Sequence, residues 1–227
     1  MFFYLALPLT LIIFFISKRL YSFKPWALLH PFLISVMVLI ALHLLFNLDF
    51  SQYESGTLVL TKLLEPAVVA LAIPLFMALH LIKEKIGIIL VSCFVAVCIA
   101  FSMAFFILPL LGADIETSAS LAVQSITTAI AVEVSRSIGG IVPLTAAMVV
   151  FAGLIGATMG RPFLQKVGVK DKHAVGIAIG CASHVLGTAK LLEVEEQQEE
   201  AALSSLALIV SAIFSALLIP VFYTLLF

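Results

Sequence analysis

The chain has 227 residues, 63% hydrophobic and only 11% charged, against roughly 45–50% and 25% in soluble domains. Apolar runs of about 20 residues, the length that crosses a bilayer, fill most of it; this marks an integral membrane protein, leaves no room for a soluble catalytic domain and so argues against an enzyme. A net charge of −1 argues against a nucleic-acid partner.

We read the whole of 1–227 as a single all-α membrane domain, a transporter-like helix bundle of about six full spans plus two or three broken or re-entrant helices. Repeat halves fall at about residues 1–111 and 112–227. Phe2–Ile16 reads as a first span, not a removed signal peptide, because no cation precedes it and no small-residue cleavage site follows. Lys18, Arg19 and Lys24 then mark a cytoplasmic loop by the positive-inside rule, which puts the N-terminus outside. Leu29–Phe46 crosses back, and the cation-free connection from Asn47 to Gly56, with Asp49 and Glu54, suits the outer face.

Thr57–Leu81 carries Lys62, Glu65, Pro66 and Pro74 and ends at the cations Lys83 and Lys85. Ile86–Leu111 is a long fourth span free of charge, closed by the acidic Gly112–Glu116. Next, Leu121–Gly140 packs Gln124, Ser125, Thr127, Thr128, Glu133, Ser135 and Arg136 into an apolar chain. Unsatisfied polar groups cost several kcal/mol in hydrocarbon, so this density needs a watery path or a ligand. A full crossing over 118–138 would place Arg161, Lys166, Lys170 and Lys172 outside, against the cation rule, whereas a segment that enters and turns back keeps them cytoplasmic. The re-entrant path is therefore preferred over the spanning one.

Ala174–Val194 is a further polar zone, with Gly176, Gly180 and Gly187 loosening a helix that carries Ser183, His184, Thr188 and Lys190. The acidic run from Glu193 to Glu200 reads as a solvated loop or helix cap, and Ala201–Phe227 as a last span interrupted by Pro220. The three polar or broken zones each hold an opposite-charge pair three residues apart, Lys62 with Glu65, Glu133 with Arg136 and Lys190 with Glu193, a spacing that shares one helix face. This is a weak signature of transporter repeats.

A half-helix starting near Gln124–Thr128 would present free backbone N–H groups and its positive dipole end, which suits a small anion. Glu133 is a candidate for proton coupling, since burial favours a protonated carboxyl; Arg136 is one for holding a carboxylate. The alternative for both is an interfacial ion pair. The unperturbed pKa of histidine suits a proton-coupled step, which makes His184 a candidate for one, its alternative being a packing residue. Cys93, Cys98 and Cys181 show no metal-ligand spacing and read as buried small hydrophobes. We expect no cofactor and no metal, for the chain has no phosphate loop, zinc spacing, haem motif or hydrolase nucleophile.

The segments Glu65–Leu75, Gln124–Ser135, Gly139–Ile141 and Ala182–Ala189 resemble the LrgB/CidB family of holin/antiholin-like membrane proteins of the YohK type, and are similar to the membrane domain of plastidial glycolate/glycerate translocators. The resemblance implies a multi-pass protein of the bacterial inner membrane that carries small carboxylates such as glycolate or pyruvate by alternating access, with a proton as the candidate coupling ion. The alternative it implies is a modulator of permeability, murein hydrolase activity and lysis. It also implies a small LrgA/CidA-type membrane partner, and base rates suggest a homodimer or higher homo-oligomer. It points to Ser125, Thr127, Thr128 and Glu133 in one motif and Ser183, His184, Gly187 and Thr188 in the other. We accordingly assign substrate binding to Gln124, Ser125, Thr127, Thr128, Ser183, His184, Gly187 and Thr188, and coupling or ion pairing to Glu133, Arg136, Glu65 and Lys190. Gln124 replaces the family's usual lysine and Ala129 its usual proline, which weakens the expectation of a fixed cation and of a sharp break there; Glu65 stands where many relatives have glycine.

Overall fold

The computed structural model describes residues 2–23, 31–70, 76 and 79–227. The regular elements among them are all helical: α1 (Phe2–Phe23), α2 (Pro31–Phe46), α3 (Phe50–Ala70), α4 (Leu79–Ser102), α5 (Ile115–Leu121), α6 (Thr128–Ser137), α7 (Val142–Ile155), α8 (Arg161–Lys166), α9 (Lys172–Leu192) and α10 (Gln198–Leu226). Five described stretches are long and apolar enough to span a bilayer: Tyr4–Phe23, Lys85–Leu111, Val142–Lys166, Lys172–Leu192 and Glu195–Leu226, with Pro31–Phe46 shorter. The bundle is thus all-α and polytopic, with five long spans and a shorter apolar helix where about six full spans were expected.

Local chemistry explains the boundaries. Asp114 and Asp171 cap α5 and α9, their carboxylates accepting the backbone N–H of Thr117 at 2.8 Å and of Ala174 at 2.9 Å. Helix α4 widens into a π-helical turn over Met103–Ile107 ahead of Pro109, and α7 does so over Gly156–Gly160 ahead of Pro162. A proline ring removes one N–H and crowds the carbonyl four residues back, so the wider turn makes room for it. The expected loop at Asn47–Gly56 is shorter than read: Asp49 receives the Ser51 N–H, and Phe50–Gly56 is already helical. A carboxylate followed by four residues tolerant of helix was the missed start signal. Helix α3 runs on through Pro66 to Ala70, so no break is seen there; Pro74 and the side chain of Glu65 lie outside the described residues.

The chain packs as two compact units, 1–70 and 71–227. In the first, α1 lies against α2 and α3, tied by a 3.0 Å bond between the hydroxyls of Thr10 and Tyr53. In the second, α10 is the spine. Gly176 and Gly180 of α9 lie directly on the backbone carbonyls of Glu200 and Ser204, the close approach that small residues allow between membrane helices. Phe101 of α4 and Phe105 of the π-helical turn that follows it pack on Phe222 and Tyr223 of α10 and on Phe227 just beyond it, with ring centroids 5.4–5.7 Å apart. Ala131, Val134 and Val149 bring α6 and α7 into the same core.

The polar stretch forms a hairpin. Helix α5 stops at Leu121, residues 122–127 are non-helical, and α6 returns. The Ile141 N–H donates to Ser120 Oγ at 2.7 Å, and Ser135 Oγ meets Thr145 Oγ1 at 2.6 Å. In one straight helix, residues 120 and 141 would lie about 32 Å apart. The segment therefore folds back on itself, the geometry that a re-entrant path requires. Gly139, at φ +78°, supplies the left-handed turn out of α6. The chain breaks here without a proline: Thr127 takes the extended cap conformation, φ −61° and ψ 141°, with Ala129 inside the first turn.

Candidate functional site between two broken helices

The second break lies inside α9. His184 has φ 42° and ψ −137°, a backbone region that costs a non-glycine residue on the order of 1–3 kcal/mol. Neighbouring groups hold it there. Its imidazole Nε2 lies 2.9 Å from the Val149 carbonyl of α7, and a carbonyl only accepts, so that nitrogen carries the proton. Gly153 leaves the space for the ring: a methyl there would sit 2.6 Å from Cε1. Thr188 closes the far side, donating to the His184 carbonyl at 2.9 Å and meeting Ser204 Oγ of α10 at 2.7 Å.

Ser183, beside the break, is wedged between Gly156, with which it is in direct contact, and Gly187 one turn further along α9. It lines a cavity of about 530 Å³ whose wall also includes Gln124 and Ser125 from the non-helical segment of the hairpin. Met148, Phe151, Ile155, Phe163, Leu164 and Ile179 form most of the rest, and none of the lining side chains is charged. The structure thus brings two of the expected motifs to one space, each through residues at a break. A smaller cavity of about 200 Å³ shares Gly156 and Ile179 with it and is lined by Arg161, Gln165, Gly187, Lys190 and Gln197.

The other expected residues are placed differently. Thr127 is the half-buried cap residue of α6 and Thr128 begins that helix, exposed, and neither lines the larger cavity. His184 and Thr188 are buried in packing and hydrogen bonds, and Gly187 serves as clearance for Ser183. Glu133 and Arg136 form a 2.6 Å ion pair with 68% and 59% of the side chain exposed, so the Glu133 carboxyl is not buried in the bundle. Lys190 pairs with Glu193 at 2.7 Å, also partly exposed.

One important pair was missed. Glu200, read as part of a solvated acidic run, is 2% exposed and receives Arg161 Nε at 2.8 Å and Nη2 at 3.0 Å. This two-point contact ties α8 to the start of α10 beside the smaller cavity. Six apolar or small residues following Glu200 were the available signal that the acidic run ends inside the bundle. Outside the spans, Asp171 has its carboxyl pulled below its usual range chiefly by the Ala174 backbone N–H, aided by His173.

The chain matches the LrgB-like family over residues 10–225. It is 34% identical over 217 residues to the holin-like protein CidB of Staphylococcus epidermidis and to that of Staphylococcus aureus, covering 96% of this chain and 94% of each relative. It is 35% identical over 212 residues to an uncharacterized protein of Haemophilus influenzae, covering 93% of this chain and 89% of that one. No solved structure matches. The chain is a multi-pass membrane protein that belongs to the LrgB-like family.

Proposed function

We propose that the protein is a holin-like modulator of membrane permeability whose solute path runs through the 71–227 unit, and that the solutes are small carboxylates such as glycolate or pyruvate. The printed name of the staphylococcal relatives supports the permeability class. The observation that carries the path is the shared cavity: Gln124 and Ser125 from one break and Ser183 beside the other line a space large enough for a small acid. Discontinuous helices whose breaks meet in this way are the usual site architecture of secondary transporters.

Chemistry favours a weak, exchangeable site. The larger cavity offers hydroxyls and an amide without fixed charge, so a carboxylate there is held by dipoles and released easily. Arg161 and Lys190 stand at the adjoining smaller cavity, each already paired with a carboxylate. In this reading the protein works in the bacterial inner membrane with the cationic 161–172 region on the cytoplasmic side, alone as an oligomer or with a small LrgA/CidA-type partner. The second reading, taken from the relatives' name, is a lesion-forming protein without a defined solute.

The two separate in proteoliposomes. Uptake of labelled pyruvate or glycolate is expected to saturate and to fall at least several-fold in Ser125→Ala and Ser183→Ala, while an entrapped dye stays inside. Dye release that accompanies solute entry, insensitive to both substitutions, would favour the lesion.

A further inference from the structure

Two of the three cysteines face each other. Cys93 of α4 and Cys181 of α9 are 88 positions apart in sequence, yet the Cys181 thiol donates to the Cys93 sulfur across 3.5 Å. Ser211 of α10 donates to the Cys181 sulfur at 3.2 Å, and the Cys93 thiol donates to the Ala207 carbonyl at 3.6 Å. A shift of roughly 1.5 Å would bring the sulfurs to bonding distance. Both helices are pinned to α10 at this level, with Ile89, Ile177, Leu203 and Ala207 packed around the pair.

The pair is also approachable from one side. Cys93 is fully buried, but Cys181 is half-buried and lines a cavity of about 530 Å³ that is lined as well by Lys85, Asp171 and His173. Asp171 and His173 lie at the α9 start, about 14 Å along that helix from Cys181, and Lys85 lies on α4, about 12 Å along it from Cys93. Cys98, five positions further along α4, points about 140° away from Cys93, into a separate apolar groove with Phe94, Ser102 and Phe106.

We propose that Cys93 and Cys181 form a redox modification site, a thiol pair that a small peroxide converts to a disulfide stapling α4 to the half of α9 that precedes the His184 break. The Cys181 sulfur attacks one peroxide oxygen, the O–O bond breaks, and the leaving hydroxide takes the thiol proton to become water, leaving a sulfenic acid on Cys181. Ser211 is placed to donate to that sulfur as its thiol proton leaves. The Cys93 sulfur then displaces the sulfenic oxygen, which departs with the Cys93 proton as a second water. Two thiols lose two electrons, and one peroxide becomes two waters. The chemistry is independent of which solute, if any, crosses the protein.

The test is a thiol count on the full chain in native membranes, treated with hydrogen peroxide, quenched, denatured and labelled with a polyethylene glycol maleimide. Three labels are expected before oxidation and one after, restored to three by dithiothreitol. Cys98→Ser is expected to go from two labels to none, and Cys181→Ser to keep two throughout. Non-reducing digestion and mass spectrometry, which needs no variant, is expected to find one peptide pair joined through Cys93 and Cys181. Three labels persisting after peroxide, oxidation that dithiothreitol does not reverse, or a disulfide between two chains would each overturn the proposal.

Discussion

Two side chains carry most of the strain and charge buried in the 71–227 unit. His184 holds a left-handed backbone inside a helix because Val149, Gly153 and Thr188 leave it one position to occupy. Asparagine tolerates positive φ and still donates, whereas leucine does neither. His184→Leu is expected to lower stability by about 1–3 kcal/mol and His184→Asn by clearly less, as read from thermal unfolding in detergent; equal losses would show that the bond and the backbone are immaterial. Arg161 is a third exposed and Glu200 almost wholly buried. Arg161→Ala leaves an unpaired carboxylate inside and is expected to cost about 3 kcal/mol, the low end for breaking a buried pair because water still reaches the arginine. Replacing both by apolar residues of like size is expected to recover most of that loss. The motif residues Ser125, Ser183 and His184 were legible in sequence as polar groups in apolar runs. Their division of labour was not, because only the fold decides that Ser183 lines a cavity while His184 holds the kink.

At the scale of elements, the hairpin of α5 and α6 was legible from its cationic neighbours. Four basic residues between 161 and 172 allow one orientation only if 118–138 turns back, and the Ile141–Ser120 bond is the geometric form of that inference. In a cysteine-free background, Glu116→Cys and Ser137→Cys are accordingly expected to react with an impermeant maleimide from the same side of sealed vesicles; reaction from opposite sides would make the segment a span. The break itself was harder to place, since no proline or glycine marks it and Thr127 caps α6 by its backbone alone, without a side-chain hydrogen bond. The start of α9 depends on Asp171, whose carboxyl is held below its ordinary value of 3.8. A depressed carboxyl contributes fully above that ordinary value and loses its contribution as pH falls through the lower folded one. The protection of the Ala174 amide, its exchange rate compared with an unstructured peptide at the same pH, is therefore expected to hold at neutral pH and to fall only in acid below that ordinary value, while Asp171→Ala lowers it wherever the carboxylate would be ionised.

Across the whole molecule, composition alone identified the membrane class, and hydropathy located Lys85–Leu111 and Lys172–Leu192 to within two residues, whereas the last span starts at Glu195, six residues before the expected Ala201; α1 continues past Lys18 and Arg19 because a helix end at the interface lets long cationic side chains reach water. Long-range pairings stayed hidden. Neither the Arg161–Glu200 contact nor the meeting of Cys93 with Cys181 leaves a local pattern, since each joins elements far apart in sequence. The same holds for the cavity, which exists because α7 and α9 carry glycine or alanine where they face the hairpin. Its wall includes Ala182, an exposed residue, so a large side chain there fills the space without displacing the core. The most direct measurement is the initial rate of labelled pyruvate or glycolate uptake into proteoliposomes bearing wild-type or Ala182→Trp protein, matched for amount and thermal stability. A path between the two breaks requires the tryptophan to abolish saturable uptake; full uptake with the cavity filled would place the path elsewhere.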